Sequence, residues 1–420
     1  MGNCMVPPCA NGAKQTTVSG IIRDPAGKVP LYNITVYVPN KAVAPIADGP
    51  SCDPCDPVTG TSLLSGEPIA VTKTDVTGAF TLGDVPVGAN VPLVIQVGKW
   101  RREITIDNVP GCTNTPLPNA DLLRLPRNQK EGHIPKMALT TGSADVLECL
   151  LRKVGIEDSE FTPEAGAGRI NLYAGGGGTS SYDATLNGGA MFTTVNPWWD
   201  SLGNLQKYDI ILHSCEGQQG SFFGAVGDPI STKSPDATKA LMDFANMGGR
   251  VFASHWHVYW FERGPAPFQS IATFMHRQGL PNPYNATVDQ THAKGAALAQ
   301  WLVNVMGSPM IGVLPLAQEA NQTTVDTVAG GTTSQRWIFA ETRTPQAVQY
   351  LTATTPIPGG NCGRVVLSDI HVSNGGVGMM SDLPATPFPM GCVTKDLSPQ
   401  EKALEFMLFD IASCVQQIVP

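Results

Sequence analysis

The sequence predicts a multidomain β plus α/β protein: an N-terminal antiparallel β-sandwich, then a mostly parallel sheet with helices on both faces. Three observations predict it. The chain has 420 residues, enough for two domains of ordinary size (~100–200 residues each). Its first 125 residues repeat short apolar runs broken by turn residues, the rhythm of a sandwich. The remainder alternates strand-like runs with stretches of helical spacing, the rhythm of a helix-covered parallel sheet.

Residues 1–15 read as a tail and 16–125 as the sandwich. Val18 to Asp24 is a strand, and Pro25-Ala26-Gly27-Lys28 is its turn, with Pro presetting φ and Gly free to take positive φ. Ile34 to Val38 alternates as a half-buried strand does. An insertion rich in Pro, Asp and Cys fills 40–68, and Ala70–Thr74, Ala79–Leu82, Val91–Val97 and Arg101–Ile106 complete the set.

This stretch resembles the carboxypeptidase regulatory-like (transthyretin-type) sandwich. The resemblance rests on Val18-Ser19-Gly20 with its Asp24-Pro25-Ala26-Gly27 turn, on Thr74 to Leu82, and on Val85-Pro86-Val87-Gly88. The Cys52/Cys55 insertion departs from it. The resemblance implies a spacer or docking module beside a working domain, and no constellation of acids or histidines stands here.

Residues 126–135 serve as linker and 136–420 form the α/β domain. Lys136–Gly142 is a strand into a turn, and Ser143 is placed to cap a helix over Ala144–Val154. Ile170–Ala174, Tyr208–His213, Arg250–Ser254, Trp337–Ala340 and Arg364–Ser368 are strands. Ser234-Pro235-Asp236 opens a helix to Met247, Ala293–Met306 is helical, and Ser398-Pro399-Gln400-Glu401 is a capping box opening a last helix to about Val415. Gly175–Gly178 lacks the Lys-Ser/Thr of a phosphate loop and reads as a flexible loop.

Ligands of such sheets bind beyond the carboxyl ends of the strands. Three ends carry unusual chemistry: His213-Ser214-Cys215-Glu216, Ser254-His255-Trp256-His257 and Ser368-Asp369-Ile370-His371. Four of the seven histidines sit there, and a buried imidazole must find partners. Two residues apart in extended chain, His255 and His257 face one side. With His371, and with His213, Asp369 or Glu216, they make a ligand set for zinc or another divalent metal. Three readings stand: a metal centre; metal-free chemistry, with Cys215 as nucleophile and Glu216, His255 and Asp369 as acid–base or orienting groups; or polar residues capping a sheet edge. Trp256, Tyr259 and Trp260 form an apolar wall for a sugar face or acyl chain.

From Lys136 onward the chain resembles the class I glutamine amidotransferase-like fold, nearest its trehalose-utilisation-type branch, and the resemblance implies a flavodoxin-like sheet. The matching residues are Tyr208–Ile211, Gly248–His255, and Gly363–Ser368 leading to His371. In that branch a histidine takes the elbow where amidotransferases carry cysteine. His255 falls near that elbow, so the resemblance implies no glutaminase activity.

Composition narrows the rest. Net charge is −8 and charged residues are 15%, against ~25% in an average domain. No basic cluster exceeds Lys99-Trp100-Arg101-Arg102, which excludes nucleic acid as a partner, and no apolar run reaches the ~18 residues of a membrane span. The start, Met1-Gly2-Asn3-Cys4, carries no leader, and Val6 breaks the myristoylation pattern. It reads as a processed start, with a lipid anchor on a nearby cysteine left open. Asn33, Asn285 and Asn321 open glycosylation sequons of no weight without a eukaryotic source. Ten cysteines beside Pro, Gly and Asp point to disulfides and to export, into a periplasm, onto a cell surface or outside the cell, of bacterial type. The Cys52-Asp53-Pro54-Cys55 pair reads as disulfide staples ahead of metal or redox roles. Five cysteines fall before residue 130 and five after, so either one disulfide crosses between domains or each keeps a free thiol. Cys215, inside a strand pattern, is the first candidate for a free thiol.

Two functional expectations follow. One is an exported hydrolase-like or carbohydrate-active enzyme working on a carbohydrate or other small molecule. The other is a non-catalytic envelope protein that binds a partner or self-associates through a degenerate enzyme fold.

Overall fold

A computed structural model describes the chain apart from residues 1–8, 11–14, 57–59, 63, 219–232, 278, 318–321, 342–345, 373–381, 394–395 and 419–420. The readings made at Met1–Val6, Cys4 and Asn321 therefore lie outside the described residues. The protein is mostly β, with several sheets and some helices.

Residues 17–116 build two sheets. Ala79–Gly83, Thr17–Ile21 and Asn114–Pro116 make one; Pro68–Lys73, Thr35–Pro39, Gly88–Val97 and Trp100–Val109 make the other. Every second residue turns inward, so Val18, Phe80 and Leu82 of the first sheet share a core with Val36, Val38, Leu93 and Ile95 of the second. The turn after Ile22 forms as the sequence predicts. Asp24 Oδ1 accepts from Lys28 N (2.6 Å) and Val29 N (3.0 Å), and Gly27 takes φ +73°.

A thirteen-stranded sheet begins at Met137. One half is parallel, in the order Thr193–Thr194, Ile170–Ala174, Met137–Thr140, Ile210–His213, Arg250–Ser254, Gly363–Ser368, with Phe161–Thr162 also joined to Ile170–Ala174. The other half is antiparallel: Ala347–Thr355, Gln335–Ala340, Tyr284–Val288 and Val313–Leu316 follow in order, with Thr323–Val328 and Ala272–Arg277 joined at its side. This corrects the expectation of a mostly parallel sheet. Of the antiparallel strands, only the one through Trp337–Ala340 was legible. Ala272–Arg277 leaves most of its residues open to solvent, and Thr323–Val328 is half threonine with an aspartate, so neither shows the apolar run of a buried strand.

Period-2 alternation sends successive side chains of the parallel strands to opposite faces. Ala138, Ile211, Val251, Ala253, Val365 and Leu367 pack with Ala237, Leu241 and Phe244 of the helix Pro235–Asn246. Met137, Leu139, Leu212, Phe252 and Val366 pack in the cluster that holds the helices Leu147–Lys153, Ala293–Asn304 and Pro399–Ala412. Both faces are thus helix-covered. Ser234 caps its helix through Ala237 N (3.0 Å), and Ser398 and Glu401 form the reciprocal capping box. Ser143 is not a cap: the helix starts after Val146, without a side-chain cap, and the Ser143 hydroxyl donates to Glu216 O at 2.8 Å instead.

The two sheet systems meet along the last helix. Trp100 lies 5.8 Å edge-on to Phe409, Tyr32 stacks on Phe406 at 5.8 Å, and Lys99 pairs with the buried Asp209 at 2.5 Å. Cys9–Cys112 and Cys149–Cys392 close loops within each part, while Cys52–Cys362 and Cys55–Cys414 cross between them. The staple reading of Cys52 and Cys55 holds, but two bridges cross rather than one. Cys215 is the free thiol among the described residues, and it is buried. Four disulfides suit an oxidising, extracellular or cell-surface setting. No helix among the described residues is long and apolar enough to cross a membrane.

Candidate metal centre

The parallel register aligns the strand ends, pairing His213 with Ala253 and Ser254 with Ser368. The residues just beyond therefore share one rim. At Ser254 the strand stops. His255 takes φ +42°, and the chain enters a short 3-10 turn over His255–Val258. A non-glycine residue in the left-handed region is strained and persists only where its surroundings enforce it.

That turn places the His255 Nδ1 3.6 Å from the Cys215 Sγ. The His371 ring lies beside it, centroids 4.9 Å apart. One ligand atom from each of Cys215, His255 and His371 falls within 4.8 Å of the others, the one such group among the described residues. All three side chains are buried. Burial pushes the Cys215 thiol well above its ordinary value, and the neighbouring Asp145 and Glu216 add to the shift. Burial also pushes both imidazoles down, His255 the further because His371 and His276 stand near. The trio is therefore neutral at pH 7. Neutral imidazole is the form that ligates a metal, and a thiol becomes a ligand by giving up its proton on binding.

Asp145 organises the trio and was not singled out in the sequence. Its Oδ2 accepts from Ser254 Oγ at 2.5 Å and its Oδ1 from Val372 N at 2.8 Å, and its charge acts on His371. Burial raises the Asp145 carboxyl, while His371 and these donors oppose the shift. The strand-end rule extends to this loop, since Asp145 lies five residues past Thr140, the last residue of its strand.

His257 and His213 do not join the trio. The turn at His255 breaks the extended geometry that would have kept His255 and His257 on one side, so that expectation is corrected. His257 stacks on His213 at 4.8 Å, accepts from Trp260 Nε1 at 2.9 Å, and points Nε2 toward Glu216 Oε2 at 3.9 Å. His213 meets Thr140 Oγ1 at 3.0 Å, and burial with the Lys233 charge pushes it down to about 3. Glu216 is a buried ion-pair partner rather than a free base, holding Lys233 Nζ at 2.8 Å and accepting from Gly176 N at 2.9 Å.

Asp369 is also displaced from its expected orienting role. Its carboxylate takes Thr324 N (2.8 Å) and Thr324 Oγ1 (2.7 Å), anchoring a neighbouring strand. The aromatic wall divides. Trp260 is fully buried beside Trp199, with Lys233 over both rings, and offers no face to a ligand. Trp256 and Tyr259 keep partial exposure, and Trp256 stacks on His276 at 5.2 Å. The glycine run is not a loose loop. A Cβ on Gly175 would meet Thr141 O at 2.1 Å and one on Gly178 would meet Gly142 N at 2.4 Å, so the run is pressed against the neighbouring turn.

No family model matches the chain, and no curated protein matches it. Among solved structures it overlaps two type II cohesin–X-dockerin complexes from Acetivibrio cellulolyticus, an N-terminal and a C-terminal interface mutant. Each is 18% identical over 36% of this chain and 78% of the other, with TM-scores of 0.17 and 0.16. Superpositions that poor carry nothing about fold or function.

Proposed function

We propose that the protein is an exported metal-dependent hydrolase of the bacterial envelope, with a divalent ion such as zinc held by Cys215, His255 and His371. The observation that carries this reading is the convergence of one thiol and two neutral imidazoles within 4.8 Å. Cys–His–His is a borderline-soft set suited to zinc, and three protein ligands leave a fourth position for water or substrate. Bound there, the ion supplies Lewis acidity and a water of lowered pKa.

The chain's own residues do the rest. Asp145 fixes Ser254 and the His371 segment, as an outer-shell carboxylate does for ligating histidines. Trp256 and Tyr259 offer partly exposed aromatic surface to a sugar or other small substrate. Cys215 is a ligand rather than a nucleophile in this reading, because a thiol pushed up by burial beside a neutral imidazole has nothing to ionise it. The architecture that frames the centre is read as a carboxypeptidase regulatory-like sandwich followed by a flavodoxin-like domain, with the sandwich as spacer.

A second reading has its own support. All three ligand residues are at most 2% exposed, and closed burial is the habit of structural sites. The protein is then a non-catalytic envelope protein whose metal staples the rim. Elemental analysis of the purified chain tests both. One equivalent of metal, lost in His255→Ala and His371→Ala but kept in His257→Ala, is the expected result; a metal-free wild type overturns the centre. Hydrolysis of ester, amide or glycoside probes by the loaded wild type, abolished by chelation, separates enzyme from staple.

A further inference from the structure

A cavity of about 220 Å3 lies at the opposite pole of the large sheet. Tyr350 pairs with Ser368 near the metal rim while Thr354 pairs with Arg364, so Thr354 sits where the parallel strands begin. The walls include Trp337, Thr354 and His292, with Lys294, Arg364 and Asp410 alongside.

Cationic side chains outnumber carboxylates in this lining. Asp410 takes Lys294 Nζ at 2.5 Å and Arg364 Nη1 at 2.8 Å, so two cations share one carboxylate and one positive charge is left over. His292 Nδ1 accepts from Gly295 N at 3.2 Å, capping its helix. The neutral ring then carries its proton on Nε2, and the Arg336 backbone carbonyl is its partner. Thr354 is 2% exposed, and its Oγ1 is buried without a hydrogen-bond partner among the described residues. Buried polar atoms are normally satisfied, and an orphan in a cavity wall points to a missing occupant. Trp337 spends its Nε1 on Thr352 Oγ1 at 3.0 Å, which leaves the ring as an apolar wall.

We propose that this cavity binds a small organic monocarboxylate, of hydroxy-acid or uronate size. A single negative charge balances the surplus cation, whereas a phosphate dianion would crowd Asp410. A hydroxyl group would satisfy Thr354 Oγ1, and a carbon face would rest on Trp337. The volume equals about seven waters at ~30 Å3 each, below the ~300 Å3 at which drug-sized pockets start. The site is independent of the metal centre, so either proposal can fail alone.

Calorimetric titration of the whole chain tests it, with lactate and D-glucuronate as probes and glucose and inorganic phosphate as controls. The expected result is saturable binding of a carboxylate probe in preference to both controls. Lys294→Met should weaken it about tenfold or more, as loss of a charged hydrogen bond does, and the near-isosteric Thr354→Val by about threefold to tenfold. Metal content should be unchanged in both. Absence of carboxylate binding, equal binding of glucose or phosphate, or wild-type affinity in Thr354→Val overturns the proposal. Thr354→Val carries the test alone where Lys294→Met does not fold.

Discussion

Asp145 Oδ2 and Ser254 Oγ are joined by a 2.5 Å hydrogen bond, which ties the loop beyond the first strand of the large sheet to the residue that precedes His255. The other oxygen of Asp145 holds Val372, the residue after His371. One carboxylate therefore fixes both imidazole-bearing segments. Asp145→Asn keeps the shape and removes the charge. Metal affinity should fall about 10–100-fold, the usual effect of losing an outer-shell partner. Competition with a chelating dye measures it, and unchanged affinity would show that Asp145 does not orient the trio.

Cys215 should be chemically silent in the folded, metal-free protein. Its thiol is buried and pushed up by that burial, and only the thiolate reacts. Alkylation at pH 8, mapped to Cys215 by peptide mass spectrometry, should run at least about 100-fold slower in native buffer than in denaturant. Rapid native labelling would mean an exposed or activated thiol and would revive the nucleophile reading.

The Glu216–Lys233 pair lies buried among Trp199, Tyr259 and Trp260. Removing one partner strands the other charge. Lys233→Met should lower stability by about 3–5 kcal/mol, and Lys233→Met with Glu216→Gln should recover part of it. Denaturant melts of the three proteins settle the matter; a single variant as stable as wild type would place the pair in solvent.

Glu148 predicts a pH dependence. Burial, with Asp145 and Asp382 adding, pushes its carboxyl up from 4.5 to about 8. A folded-state value above the ordinary one means that the fold prefers the neutral acid. That contribution is whole below about pH 4.5 and is lost as pH rises through about 8, at about 1.4 kcal/mol per pH unit between them. Asp24, raised to about 6, and Glu405 form a buried acid pair of the same sign where the two sheet systems meet. Urea melts at pH 5, 6.5 and 8 should show Glu148→Gln gaining on wild type as pH rises. A constant difference across that range would contradict the shift.

Cys52–Cys362 and Cys55–Cys414 span 310 and 359 residues. Restricting the unfolded chain over such loops stabilises by about 2–5 kcal/mol per bridge. Replacing Cys52 and Cys362 together by Ser should lower the melting temperature by several degrees, and removing both bridges by more. Thermal unfolding of the variants measures this, and an unaltered midpoint would mean that packing at Trp100, Phe406 and Phe409 alone holds the parts together.

Much of the architecture was legible because it rests on local chemistry. Ser234-Pro235 and Ser398-Pro399-Gln400-Glu401 cap their helices by hydrogen bonds within four residues. The strands ending at His213, Ser254 and Ser368 read as strands because β-branched apolar runs have few other uses. The rule that ligands gather past those ends led to Cys215, His255 and His371. The antiparallel half was hidden because Ala272–Arg277 is mostly exposed, Thr323–Val328 and Ala347–Thr355 mix threonine into their buried runs, and the strands take their order from distant partners.

The sequence by itself determined which residues belong to the rim: histidines, a thiol and acids placed after apolar strands. Only the tertiary structure decided which of them meet. A positive φ at His255 turns His257 toward Glu216 and away from Cys215, and Asp145 reaches His371 across 226 residues of chain to do what Asp369 was expected to do. Side-chain direction at a strand end depends on one backbone turn and on which segments pack above it. Those are long-range properties that no local spacing encodes.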